Sequence, residues 1–353
     1  MNELPEGKIP WDLLSNLVKL RGYQNNRGIV QEPAPGIDIA TLDLQEIFKQ
    51  IREYYNTSTT PYLIYKADPI TFPTPNPAKY LVTVNMNDLA TCGAIPYGIT
   101  ITILLPPRTS SDLIMDFQKK LSEICENNGI TILGGHSEVT ASVESPIYSA
   151  SMIGFVPHEY YIPRNPKPGD AIICSGWIGA EGTGILLTSG KDYFSNNLSE
   201  ETIQEGIRVG MEISISKKVL ALNRQYHNAL NLVHDATEGG IYGALYECLA
   251  PFDLGCKINS SDIPVTKVTE KITQYLDINP FKLISSGAVL LICQRKYASK
   301  IVEYLNKNSF GPTQIIGEVT HRGSPLSFDN QKMHPPEADD LIKGLANLKM
   351  KNE

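Results

Sequence analysis

Val84-Asn85-Met86-Asn87-Asp88-Leu89-Ala90-Thr91-Cys92-Gly93-Ala94-Ile95-Pro96 admits two readings, and the architecture depends on which one holds. Tyr80 to Asn85 alternate as a strand would, while Asn85 to Cys92 suit a helix that Gly93 and Pro96 stop. On the helix reading Asn85 and Asp88 share a face, so their oxygens can meet one cation or hydroxyl; the plain alternative is a solvated face. Upstream, Tyr62, Ile64 and Lys66 alternate with Leu63, Tyr65 and Ala67 in a strand-like run that Asp68-Pro69 is expected to end, because proline cannot donate to a ladder. Downstream, Thr100 to Leu105 is a β-branched run, Ser111 to Asn127 has helical period with Gly129 as its stop, and Ile130 to Leu133 reads as a short strand.

Farther out, Gly28 to Gly36 is punctuated by glycine and proline, and Ile37 to Leu44 has the alternation of a strand. A proline- and aromatic-rich stretch, Glu159 to Gly169, separates this region from a second series that opens with the strand Ala171 to Ser175. There, helices are expected over Ile203 to Leu222, Ile241 to Leu249 and Lys296 to Asn306, and strands over Val289 to Cys293 and Ile315 to Val319. The expected organisation is an N-terminal domain over 1–160, a C-terminal domain over 169–330 and a polar tail over 331–353 without a core pattern. With 353 residues the chain exceeds the roughly 250 to 300 at which one core stops growing, so two α/β (α+β) domains are the natural division.

Composition narrows the function classes. Hydrophobic residues at 42% and charged residues at 20% are ordinary globular values and exclude wholesale disorder. The net charge of -7, with no long basic run, excludes a nucleic-acid footprint. No run of about 18 uncharged apolar residues exists to span a membrane, and Met1 to Leu20 has no uninterrupted apolar core of a secretory signal. A cytoplasmic location follows as the expectation. Cys92, Cys125, Cys174, Cys248, Cys256 and Cys293 are scattered without a CxxC pair and read as reduced core residues.

Four acidic clusters fall beside turn residues: Gly36-Ile37-Asp38, Lys66-Ala67-Asp68-Pro69, Asn85-Met86-Asn87-Asp88 and His234-Asp235-Ala236-Thr237-Glu238-Gly239-Gly240. Magnesium prefers carboxylate oxygens and keeps bound waters, so dispersed aspartates converging on phosphates suit a nucleotide site, while each alone also suits a cap or turn. In Ile132-Leu133-Gly134-Gly135-His136-Ser137-Glu138-Val139-Thr140 the two glycines, expected in a turn, would let the backbone approach a phosphate. His136 there is a general base or a polar turn residue. A second glycine-rich stretch, Gly176 to Gly184, leads into an apolar helix whose N-terminus suits phosphate. No GK[ST] closes it, and no GxSxG, HExxH or Cys/His metal spacing occurs anywhere in the chain.

Taken in order, Asp68-Pro69-Ile70-Thr71-Phe72, Val84 to Pro96, Leu104-Leu105-Pro106-Pro107, Gly134 to Thr140, Gly169-Asp170, Glu181-Gly182-Thr183 and His234 to Gly240 resemble the AIR-synthetase superfamily over about residues 30 to 325. The HypE-like hydrogenase-maturation branch is the nearest match. The resemblance implies a two-domain PurM-like fold, a helix over the ambiguous segment, and homodimers that pair their N-terminal sheets with Mg-ATP near the interface. It implies further that Asp38, Asp68, Asp88 and Asp235 surround magnesium and phosphates, and that Asn85, Gly134 and Gly135 contribute to nucleotide binding. Lys66 would neutralise phosphate charge, with His136 and Glu138 nearby as catalytic candidates. The shared chemistry is phosphorylation of a small-molecule or acyl/amide oxygen, or simple phosphate transfer as in thiamine-monophosphate kinase. HypE-type members act on a cysteine at their own C-terminus. This chain ends Asn352-Glu353 after a last cysteine at Cys293, which, if the chain is complete, excludes nitrile synthesis on its own tail and leaves a nucleotide-binding maturation or scaffold role as the alternative. With no cysteine before Cys92, the early reactive cysteine of selenophosphate synthetases has no counterpart.

Overall fold

The structure, a computed structural model, describes residues 3–71, 74 and 76–352; Phe72 of the Asp68–Phe72 motif and the terminal Glu353 lie outside them. It divides into two compact units, residues 1–161 and 162–353.

The first unit is built on strands β1 (Gly7–Lys8), β4 (Pro61–Ile70), β5 (Ile95–Leu105), β6 (Thr131–Val139) and β7 (Ile147–Pro157), ordered β1-β6-β5-β7-β4. A small ladder joins β2 (Ile29–Gln31) to β3 (Thr41–Leu42). The helices are α1 (Trp11–Leu17), α2 (Leu44–Tyr55), α3 (Pro77–Thr91) and α4 (Ser111–Asn127). Only β5 and β6 are parallel, with α4 as the crossover between them. The segment with two readings is helical: Asn76 caps α3 through its side chain, Pro77 occupies the first turn, and Leu81, Val82, Leu89 and Ala90 are fully buried. On the opposite face of the sheet, Ile47, Ile51 and Tyr55 of α2 pack with Tyr97 and Phe155.

Several local expectations are corrected here. The strand expected over Ile37 to Leu44 shrinks to Thr41–Leu42. β4 does not stop at Asp68-Pro69 but continues to Ile70, with Pro69 opposite Ser149, because β4 is an edge strand on which a missing N–H is tolerated. Gly134 and Gly135 lie inside β6 rather than in a turn.

The second unit carries a seven-stranded sheet ordered β14-β13-β10-β12-β8-β11-β9. Its strands are β8 (Ala171–Ser175), β9 (Leu230–Ala236), β10 (Leu254–Ile258), β11 (Ser285–Cys293), β12 (Thr313–Arg322), β13 (Leu326–Phe328) and β14 (Gln331–Lys332). The helices are α5 (Ala180–Ser189), α6 (Lys191–Ser195), α7 (Glu200–Gly210), α8 (Ser216–Tyr226), α9 (Gly240–Leu249), α10 (Lys267–Tyr275), α11 (Ala298–Lys307) and α12 (Asp340–Asn352). Ile241, Leu245 and Leu249 of α9 pack onto Ile172, Leu232 and Leu290 of the sheet. The single helix expected over Ile203 to Leu222 is two, α7 and α8, interrupted over residues 211–215.

The tail expected over 331–353 is also corrected. It holds β14 and α12, and Leu348 is buried against Leu186, Ile272 and Leu276. Its polar composition hid a narrow apolar stripe, Leu341, Leu345 and Leu348, at helical spacing. All six cysteines are free; Cys92 is half-buried and the other five are buried.

Candidate functional site

In the first unit β4 and α3 bring three of the singled-out residues together. The Lys66 ammonium Nζ lies 2.8 Å from Asp88 Oδ2 and 3.1 Å from Asp68 Oδ2. Lys66 and Asp68 are two residues apart on one strand and so project to the same face, toward α3, which supplies Asp88. Partial burial works against the charged amine, but Asp88 and then Asp68 outweigh it and raise the Lys66 pKa. The group is part-exposed, with side-chain accessibilities of 35% for Lys66, 38% for Asp68 and 26% for Asp88.

Asn85, one helical turn from Asp88, does not join them. It is fully buried, its Nδ2 donates to Leu81 O at 2.9 Å, and its Oδ1 has no hydrogen-bond partner. Asp38 is exposed in a segment outside any helix or strand and pairs with none of these side chains. Among the described residues no group of three or more histidine, cysteine or acidic side chains is arranged to hold a metal ion.

His136 and Glu138 pair with each other, Nε2 to Oε2 at 3.2 Å. Sheet register puts them on the other face from Lys66. His136 is opposite Thr102, Thr102 is opposite Ser149 and Ser149 is opposite Pro69, so His136 points to the side of Pro69 and away from that of Lys66 and Asp68. Gly135 has a packing reason: a Cβ there would stand 2.0 Å from the main-chain oxygen of Ile101. Gly134 has a conformational one, a φ of +144°.

In the second unit Asp235 is 3% exposed on β9, and its Oδ1 lies 3.3 Å from His234 Nδ1. The other ring nitrogen of His234 meets Glu247 Oε2 at 3.0 Å. Burial lowers the His234 pKa, yet the two carboxylates outweigh it and push it up to about 9. The sequence reading passed over two acids around the same loop. Asp339 accepts from the N–H groups of Gly239 at 2.7 Å, Leu341 at 2.7 Å and Ile284 at 3.4 Å, and so ties the start of α12 to the Glu238-Gly239-Gly240 turn. Glu181, 3% exposed, accepts from Ser286 N at 2.7 Å, and burial drives its pKa up to about 7. In the sequence Glu181 belongs to a glycine-rich stretch and to the Glu181-Gly182-Thr183 motif, neither of which gives it a role of its own. A lone acid in an otherwise apolar and glycine helix start was the available signal.

A Methanocaldococcus jannaschii protein, provisionally assigned to hydrogenase expression and formation, is 28% identical over 269 residues, covering 72% of this chain and 74% of that one. Escherichia coli HypE, a carbamoyl dehydratase, is 23% identical over 289 residues, 81% of each chain. Its crystal structure superposes with a TM-score of 0.74 at 19% identity, over 94% of this chain and 98% of that one. A HypE crystallised in complex with ATP superposes with a TM-score of 0.67 at 18% identity, over 87% of this chain and 90% of that one. The family model for the AIR synthase related protein N-terminal domain matches residues 65–156, which hold the whole Lys66, Asp68 and Asp88 group, and that for the C-terminal domain matches residues 167–327. The chain belongs to the AIR synthase related protein family, in its HypE-like branch.

Proposed function

We propose that this protein is a Mg-ATP-dependent enzyme that activates an oxygen of a small-molecule or acyl/amide substrate by phosphorylation. The observation that carries the reading is the convergence of Lys66, Asp68 and Asp88 from an edge strand and a helix inside the family-matched segment. The donor set fits a hard cation: two partly exposed carboxylate oxygens already lie around one positive charge, and magnesium favours carboxylates while keeping its waters. Asp68 and Asp88 would hold the ion, and Lys66, released from them, would face the phosphates. Bound magnesium would neutralise charge developing on the transferred phosphoryl group. Asp235, which lies 3.3 Å from His234 in the second unit, stays in the proposal on the strength of the family resemblance alone. Asp38, Gly134 and Gly135 stay in the proposal on the strength of the family resemblance alone.

The dimer belongs to the same reading. β4 is an edge strand with Leu63 at 52% and Tyr65 at 66% exposure, an apolar edge that a second copy would cover. His136 and Glu138 share the face of Tyr65 and would then approach the partner rather than their own Lys66. A maturation-complex partner belongs to the same reading, supported by a HypE crystallised in complex with HypF, and a cytoplasmic location stays in it as an expectation.

Calorimetric titration of ATP with magnesium into the wild type, Asp68→Asn and Asp88→Asn tests the site. Binding by the wild type that drops at least tenfold in both folded variants supports it. No heat from the wild type overturns it.

A further inference from the structure

The C-terminal unit contains a cavity of about 280 Å³ between the start of α5, the start of α8 and the Ser309-Phe310-Gly311 turn that precedes β12. Lys218 and Glu181 both line it, as do Trp177 and Phe310. Lys218 is 8% exposed, and its Nζ donates to two main-chain carbonyls, Ser175 O at 3.3 Å and Gly287 O at 3.2 Å. It forms no ion pair among the described residues. A buried ammonium has three N–H donors and one full charge, so two neutral acceptors leave one donor unused and the charge answered only at a distance by Glu212. Burial accordingly pulls its pKa down to about 8. Glu181, with a carboxyl that burial keeps protonated to about pH 7, can donate an O–H rather than repel an incoming anion.

We propose that this cavity binds a small organic monocarboxylate, whose carboxylate accepts from Lys218 and whose apolar body lies against Trp177 and Phe310. A single negative charge matches the single buried cation. The remaining charged groups on the wall are Lys217 and Glu212, both exposed, and Glu212 is already paired with Arg208 at 3.2 Å; a second negative charge on the ligand would meet Glu212. The Cys174 thiol beneath Lys218 is held neutral by burial, which pushes its pKa up to about 12. The site shares no residue with the Lys66 group, so it is tested without ATP or magnesium.

The chain has two tryptophans, Trp11 and Trp177, so Trp11→Phe leaves Trp177 as the only indole reporter. In that background the full chain is titrated with acetate, butyrate and phenylacetate, with butyramide as the neutral counterpart and inorganic phosphate as the multivalent one. The expected result is a saturable Trp177 fluorescence change with at least one carboxylate, about tenfold weaker for butyramide and for phosphate, and lost in Lys218→Met. In Glu181→Gln, where ionisation of Glu181 cannot contribute, affinity should also fall about tenfold or more between pH 7 and pH 9.5 as Lys218 loses its proton. That pH series uses the intact lysine, so it decides the matter even if Lys218→Met does not fold. No saturation with any carboxylate, equal binding of butyramide or phosphate, retained binding in a folded Lys218→Met, or a flat pH series each overturns the proposal.

Discussion

Lys66 Nζ lies 2.8 Å from Asp88 Oδ2, a contact that ties the edge strand of the N-terminal sheet to the helix packed on it. Asp68 shares the same ammonium at 3.1 Å, so one positive charge serves two carboxylates. Removing it leaves two like charges facing each other. Lys66→Met is therefore expected to lower stability at neutral pH, by about 1 kcal/mol or less because the group is part-exposed and screened. Magnesium should restore the melting temperature of this variant more than it shifts that of the wild type. Equal shifts would show that the two carboxylates do not share an ion.

Burial lowers the Lys218 pKa from 10.5 to about 8. The unfolded chain then holds this proton more readily than the folded one, so the group destabilises the fold fully below pH 8 and is relieved as pH rises toward 10.5. The difference amounts to about 3 kcal/mol of stability gained across that window. Lys218→Met should be more stable than wild type at pH 7 and should lack the alkaline rise. Denaturant titrations at pH 7 and pH 10 check both, and a parallel response of the two proteins would contradict the assignment.

For Glu181 the sign is reversed. Its pKa rises from 4.5 to about 7, mainly through burial, with Asp339 and Asp235 adding repulsion. The folded state keeps the proton longer, so stability is greatest below pH 4.5 and falls by about 3 kcal/mol as pH climbs through 7. Glu181→Gln retains an oxygen for Ser286 N–H and should remove this loss. Chemical unfolding of both proteins at pH 5 and pH 7.5 provides the comparison; an unchanged pH slope in the variant is the adverse result.

Gly134 and Gly135 are adjacent but should respond differently to alanine. At Gly135 the new Cβ meets the Ile101 carbonyl oxygen at 2.0 Å, and a strand backbone cannot yield locally, so a loss of about 3 kcal/mol or more is expected. At Gly134 no atom lies within 4 Å of the Cβ position, and only the φ of +144° resists, at about 1 to 3 kcal/mol. Thermal melts of the two variants rank them, and a larger loss for Gly134→Ala would refute this account of the glycine pair.

Local pattern carried some elements to their ends. Helix α4 runs Ser111–Asn127 with the limits its apolar period marks, because that period and its stop at Gly129 are properties of adjacent residues. Strand β4 could not be read past Pro69, since tolerance of a proline depends on whether the strand lies at an edge, which is set by β7 and β1 elsewhere in the chain. The α12 stripe of Leu341, Leu345 and Leu348 looked polar in its own context and becomes a core face only against Leu186 and Ile272.

The site divides in the same way. Sequence alone determined the order of motifs that identifies the family, because that order is local and needs no partner, whereas Asp68 and Asp235, expected beside turns, lie inside β4 and β9. Only the tertiary structure decided that Lys66 meets Asp68 and Asp88, that His136 faces the other side of the sheet, that Asn85 is buried away from them, and that Lys218 and Glu181 share a cavity. Strand register and helix packing join residues far apart in the chain. A shift of one residue in register reverses every side chain on a strand, so which face a side chain takes is settled by the neighbouring strands rather than by its own segment.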